Sequence, residues 1–260
     1  MAAILQPEAV YCISLERSQD RWDITRPLIV EAGFPTVEKI LGVDGRQLTS
    51  EEIKRVTSLY TRYNIAATPQ APLPIGCVGE VGCYLSHVKI WKQIVKKKMK
   101  SCVVFEDDVL FNPNFTSDLK EYWNTLQNKE EIGGLFFGYI NRITNPLRCQ
   151  DIFAGLQGYY ITYAGAKKML ERWRPLEVPV DLYMGMVCKE DPERTPFYFT
   201  SVPLATYNNF NSSIDREWGR VQQCPPADPP VDPSSGGSRL GVWIPILIIF
   251  LLLVLLLIDK

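Results

Sequence analysis

Three adjacent carboxylates, Glu106, Asp107 and Asp108, stand at the end of the apolar run Ser101–Phe105. A run of that kind reads as a strand buried on both faces of a parallel sheet. Neighbouring carboxylates repel one another and are not buried unpaired. Either they lie in a solvated turn, or a hard divalent cation neutralises them. Mg²⁺ and Mn²⁺ favour a few carboxylates combined with the phosphate oxygens of a ligand. Ligands of open α/β sheets bind beyond the carboxyl ends of strands, where this triplet falls. Two more strand ends carry polar groups: Arg17 and Arg21 follow Val10–Leu15, and Asp44 and Gly45 follow Lys39–Val43. Arginines suit a diphosphate, and Asp44 suits a pair of ribose hydroxyls. An arginine taken singly more commonly ends in a surface salt bridge. Their joint placement points to a nucleotide-sugar site.

The elements that must position these groups follow from the pattern. Trp22–Ala32 reads as a helix closed by Gly33. Thr49-Ser50-Glu51-Glu52 opens a helix running to about Tyr63, and Thr68–Pro74 is a proline-rich loop. Residues 81, 84, 85, 88, 91 and 95 form an apolar stripe on a helix that ends in Lys96-Lys97-Lys98, a solvated cationic terminus. His87, the sole histidine, flanks that stripe, either as a satisfied structural residue or as a group touching the ligand pocket. Gly79, Gly82 and Cys83 favour close packing of this helix. Further on come a helix at Thr116–Gln127, strands at 133–140 and 158–162, and a helix at Ala164–Trp173. Val180–Cys188 is a short apolar helix or turn, and Pro196–Thr206 a late strand. The alternation makes an α/β sandwich.

Chain length (260 residues) and 46% apolar composition allow one good-sized core. A net charge of −1 gives no electrostatic reason for nucleic-acid binding. The seven cysteines show no C-x-x-C spacing and read as reduced thiols. The N-terminus has neither a basic region nor a long apolar core, so no secretory signal is expected. At the other end, residues 1–223 give way to a Pro/Ser/Gly-rich linker at 224–239, then to the uncharged stretch Leu240–Ile258. Nineteen such residues are about enough to cross a bilayer core of roughly 30 Å. The spacer is too short for a lipid-anchor signal. The expectation is a transmembrane tail anchor that leaves the preceding domain on the cytosolic side.

AVYCISLERSQDRW (9–22), GVDG (42–45), GEVGCYLSHVKIW (79–91) and VVFEDDVLF (103–111) occur in order. With GYYITYAGAKKML (158–170), PVDL (179–182) and SSI (212–214), the chain resembles glycosyltransferase family 25 over about residues 10–215. That family holds bacterial lipopolysaccharide galactosyltransferases and collagen hydroxylysine galactosyltransferases. The resemblance implies a GT-A type, Rossmann-like sandwich, a UDP-sugar donor, Mn²⁺ (or Mg²⁺) and inversion at the anomeric carbon. It implies a glycan, lipid-linked or protein acceptor. By position it assigns Glu106, Asp107 and Asp108 to the metal. Arg17, Arg21 and Asp44, with Gly45 and His87, go to the donor. Inversion also needs a base for the acceptor hydroxyl. Asp181, a lone acid opening an apolar segment, is the candidate, with an N-cap role the alternative. The other functional class is a catalytically inactive sugar- or partner-binding module of the same fold.

Overall fold

The computed structural model describes residues 5–66, 75–142 and 147–208, with side chains of 141 and 142 left aside. All belong to Met1–Asp228, the first of two compact units. In chain order the strands and helices are β1 (Ala9–Ser14), α1 (Gln19–Glu31), β2 (Val37–Leu41), α2 (Ser50–Val56), α3 (Leu59–Ala66), α4 (Val78–Lys97), β3 (Ser101–Glu106), β4 (Val109–Phe111), α5 (Phe115–Thr125), β5 (Gly134–Gly138), β6 (Asn141–Arg142), β7 (Phe153–Ala154), β8 (Gly158–Thr162), α6 (Tyr163–Leu170), α7 (Val180–Glu190), β9 (Phe197–Phe199) and β10 (Ala205–Tyr207). A single 3₁₀ turn, Gly45–Gln47, follows β2.

The main sheet runs β2-β1-β3-β8-β5-β10-β4, with β9 beside β5. Only part of it is parallel. β1 pairs parallel with β2 and with β3, whereas β8 lies antiparallel to both β3 and β5. The sheet is therefore mixed, not the parallel sheet expected, because a short apolar run such as GYYIT carries no sign of its direction. The three ends that matter do share one edge, since β2, β1 and β3 run parallel to one another.

Alternation along the strands fills two cores. Cys102, Val104, Phe136, Tyr159 and Ile161 pack under Val81, Val88, Trp91 and Ile94 of α4, Met169 of α6 and Met184 of α7. Val103, Phe105, Leu135, Phe137 and Tyr160 face the other way, against Ile29 of α1 and Phe115 and Leu119 of α5. β3 is thus covered on both faces, as its sequence indicates.

Three local departures have physical causes. The helix expected from Thr49 to Tyr63 begins with a capping box, Glu52 N–H donating to Thr49 Oγ1 and Thr49 N–H to Glu52 Oε2. It breaks at Thr57, which leaves α2 to bridge Leu176, while Leu176 N–H donates to Val56 O at 2.7 Å. The late strand divides into β9 and β10. The chain also turns straight after the triplet: β4 leaves β3 and pairs antiparallel with β10 at the far edge. The Thr68–Pro74 loop, the linker and the tail anchor at 240–258 lie outside the described residues. Among the described residues no helix is long and apolar enough to cross a membrane.

Gly45 and Gly82 let the loop after β2 lie against α4. A Cβ on Gly45 would overlap the carbonyl of Val78, and one on Gly82 would press on Val43 O and Gly45 N. Both obstacles are backbone. Gly45→Ala is therefore expected to destabilise by about 1–3 kcal/mol or more, measured by chemical denaturation.

Candidate functional site

The backbone places the site before any side chain does. β1, β2 and β3 end side by side, and the loops beyond them meet the first turns of α4. Arg17, Arg21, Asp44, Gly45, His87, Glu106, Asp107 and Asp108 all line one cleft there. Asp181 is not on its wall.

Arg21, on the first turn of α1, reaches the triplet. Its Nη2 lies 2.6 Å from Asp107 Oδ1 and 3.2 Å from Asp108 Oδ2. Thr25 Oγ1, one turn further along, donates to Asp107 O at 2.6 Å and fixes the turn that lets adjacent carboxylates converge. Arg17 Nε lies 2.8 Å from Asp44 Oδ2, and Asp44 Oδ1 accepts from Arg46 N–H at 3.0 Å. Burial works against Asp44, but Arg17 and the Arg46 amide hold its carboxyl below the usual range. Ser86 Oγ accepts from Val43 N–H and donates to Gly82 O, tying that loop to α4.

Glu106 turns the other way, towards α4. His87 Nε2 is 3.2 Å from Glu106 Oε1, His87 Nδ1 is 2.9 Å from Tyr159 Oη, and Trp91 Nε1–H donates to that same oxygen at 3.1 Å. Burial pushes His87 down to about 3, so the ring is neutral. With Tyr159 Oη accepting from Trp91, its own hydrogen points to His87 Nδ1, which leaves Nε2–H to donate to Glu106. His87 is fully buried and engaged at both nitrogens. It orients Glu106 rather than offering a free face to a donor.

Negative charge exceeds positive in the inner half of the cleft. Burial, then Asp181 and Asp107, push Glu106 up to about 8, against the pull of Arg21. Burial, then Glu106, push Asp108 up to about 7. Asp107 is raised as well, chiefly by burial. Asp108 Oδ1 is buried without a hydrogen-bond partner. An orphaned carboxylate oxygen beside a second carboxylate fits a hard divalent ion at Asp107 and Asp108, whereas Glu106, expected as the third ligand, turns towards α4 and is gathered with Cys83 and His87. The raised carboxyls also set a pH dependence. The folded, metal-free protein keeps protons that the unfolded chain releases near the ordinary carboxylate pKa of about 4. The melting temperature in EDTA is therefore expected to fall as pH rises from about 5 to about 8. A midpoint that climbs over this range would contradict the arrangement.

Asp181 lies in the first turn of α7, whose N-cap is Pro179. Its Oδ2 accepts from Gly155 N–H at 2.7 Å and its Oδ1 from Leu182 N–H at 2.8 Å. Asp181 is the second residue of α7 and the helix has no side-chain cap bond, so the N-cap alternative does not hold; the contact with Leu182 is to the next residue along. Burial raises the carboxyl and these amides pull it back. Its charge is felt by both Glu106 and His87.

Arg46 and Tyr159 escaped the sequence reading, which took Cys83 and Trp91 only as packing residues of α4. Arg46 adjoins a recognisable turn and was within reach of it. Tyr159 lies 72 residues from His87 and carries no local signal. The six described cysteines are free thiols, as expected.

Residues 8–136 match the family model described as glycosyltransferase family 25 (LPS biosynthesis protein). A glycosyltransferase 25 family member of Aedes aegypti is 32% identical over 203 residues, covering 72% of this chain and 32% of that protein. Procollagen galactosyltransferase 2 of Homo sapiens is 25% identical over 224 residues, covering 80% of this chain and 33% of that protein. A probable inactive glycosyltransferase 25 family member 3 of Bos taurus is 28% identical over 202 residues, with 71% and 32% covered. The chain spans about a third of the length of the curated relatives it matches. With the ordered blocks at β1, β2, α4 and β3 inside the matched region, the chain belongs to glycosyltransferase family 25.

Proposed function

We propose that the chain is an inverting, metal-assisted glycosyltransferase that moves a hexose, galactose or glucose, from a UDP-sugar to a glycan, lipid-linked or protein acceptor. The observation that carries this reading is the convergence of three parallel strand ends, with two arginines and three carboxylates, on one cleft. Arg17 and Arg21 face the diphosphate, and Asp44 the ribose. Glu106, Asp107 and Asp108 hold Mn²⁺ or Mg²⁺, which when bound supplies Lewis acidity at the leaving diphosphate. Asp181, whose charge acts on Glu106, takes the acceptor hydroxyl proton. A GT-A type, Rossmann-like architecture goes with the ligand site at the ends of the parallel block. In the same reading, 240–258 is a single-pass anchor with the catalytic unit on the cytosolic side, supported by its nineteen uncharged residues.

One observation favours the inactive-module reading: Arg21 already pairs with Asp107 and Asp108 without a metal. A panel of nucleotide sugars incubated with Mn²⁺ and the full chain separates the two. UDP release from a UDP-hexose supports transfer. Binding of UDP-sugar with no turnover across the panel and a set of glycan acceptors supports the module.

A further inference from the structure

Cys83 and His87 are one helical turn apart on α4, and both face the end of β3. Cys83 Sγ lies 3.8 Å from Glu106 Oε1, His87 Nε2 lies 3.2 Å from the same oxygen, and the three ligand atoms all fall within 4.8 Å of one another. A tetrahedral ion with metal–nitrogen and metal–oxygen distances of about 2.0–2.1 Å and metal–sulfur of about 2.3 Å needs edges of about 3.3 and 3.6 Å. The sulfur–oxygen edge of 3.8 Å and the nitrogen–oxygen edge of 3.2 Å already lie close to these values, and the sulfur–nitrogen edge is within 4.8 Å. All three residues line the cleft, so the fourth vertex opens into it. Behind the imidazole, Nδ1 meets Tyr159 Oη at 2.9 Å, and Trp91 holds that hydroxyl in turn. A supported second ring nitrogen is what metal-binding histidines use.

The donor set differs in kind from the triplet. One sulfur, one imidazole nitrogen and one carboxylate oxygen suit a borderline ion such as Zn²⁺ or Co²⁺, not Mg²⁺ or Mn²⁺. We propose that Cys83, His87 and Glu106 form a second, transition-metal site whose occupation withdraws Glu106 from the carboxylate triplet. Binding breaks the Cys83 S–H bond and releases that proton to solvent, together with the proton that Glu106 holds in the metal-free protein. The ring proton moves from His87 Nε2 to Nδ1 and is donated to Tyr159 Oη, whose own hydrogen turns away from the ring, so the imidazole stays neutral. No electron is transferred. The site itself stands on this geometry alone, while the withdrawal of Glu106 from the triplet rests on the proposed function.

Co²⁺ titrated into the metal-free full chain tests it spectroscopically. A thiolate-to-cobalt charge-transfer band saturating at one equivalent, displaced by Zn²⁺ and not by equimolar Mg²⁺, is expected. Cys83→Ser abolishes the band and weakens Zn²⁺ binding by roughly tenfold or more, whereas Cys77→Ser keeps both. The unmodified protein gives a second readout that needs no variant: one equivalent of Zn²⁺ protects Cys83 from alkylation, mapped by mass spectrometry. Absence of the band, its survival in Cys83→Ser, or unprotected alkylation of Cys83 at saturating Zn²⁺ would overturn the proposal.

Discussion

Asp108→Asn is expected to reduce sugar transfer by about 10²–10³-fold, the scale for losing one preorganised electrostatic contact, while leaving the fold intact. Asp108 Oδ1 has no hydrogen-bond partner, and without a cation the group sits with its carboxyl pushed up to about 7. Replacing it by a neutral isostere therefore removes repulsion from Glu106 in the metal-free protein. Arg21 keeps its contact with Asp107, at 2.6 Å the shorter of its two. The melting temperature in EDTA should hold or rise, and added Mn²⁺ should stabilise the variant less than the parent. EDTA should silence the parent reversibly. A variant that transfers sugar at the parental rate would remove Asp108 from the mechanism. One that unfolds at room temperature would make it a structural residue instead.

Asp181→Asn carries the second large effect, and the structure changes how it must be read. Loss of a general base costs on the order of 10²-fold or more in transfer rate. The Asp181 carboxylate also accepts from Gly155 and Leu182 amides, and an asparagine can satisfy one of them but presents its own N–H to the other. A stability loss of about 1–3 kcal/mol is therefore expected whatever the catalytic role. Stability alone does not decide the matter. The discriminating measurement is the split between binding and turnover: UDP affinity unchanged and rate reduced identifies the base. Parallel losses of affinity and rate would show that Asp181 acts by holding the Gly155 loop and α7 in place.

The site was legible where sequence places polar groups at strand ends. VYCISL followed by two arginines, GVDG, and SCVVF followed by EDD each mark such an end, and parallel pairing of β2, β1 and β3 brings the three to one edge. Convergence of adjacent carboxylates was not legible. Strand alternation sends neighbours to opposite faces, and VLF after the triplet reads like more of the same strand. Instead the chain turns at Asp107 and Asp108 and leaves for β10, so Asp107 and Asp108 meet Arg21 while Glu106 meets His87. The role of His87 was hidden because its other ring partner comes from β8. The break at Thr57 was hidden likewise, since Leu176 causes it from more than a hundred residues away. Local propensity reads neither kind of pairing.

The most direct measurement is calorimetric binding of UDP to the full chain with and without Mn²⁺ at neutral pH. A diphosphate cannot approach Glu106, Asp107 and Asp108 without a bridging cation, because the single charge of Arg21 does not offset the repulsion from these carboxylates. The expected result is binding that is strong with Mn²⁺, lost in EDTA, and restored when the ion is returned. Equal UDP affinity in Mn²⁺ and in EDTA would contradict a metal-bridged nucleotide-sugar site in this cleft.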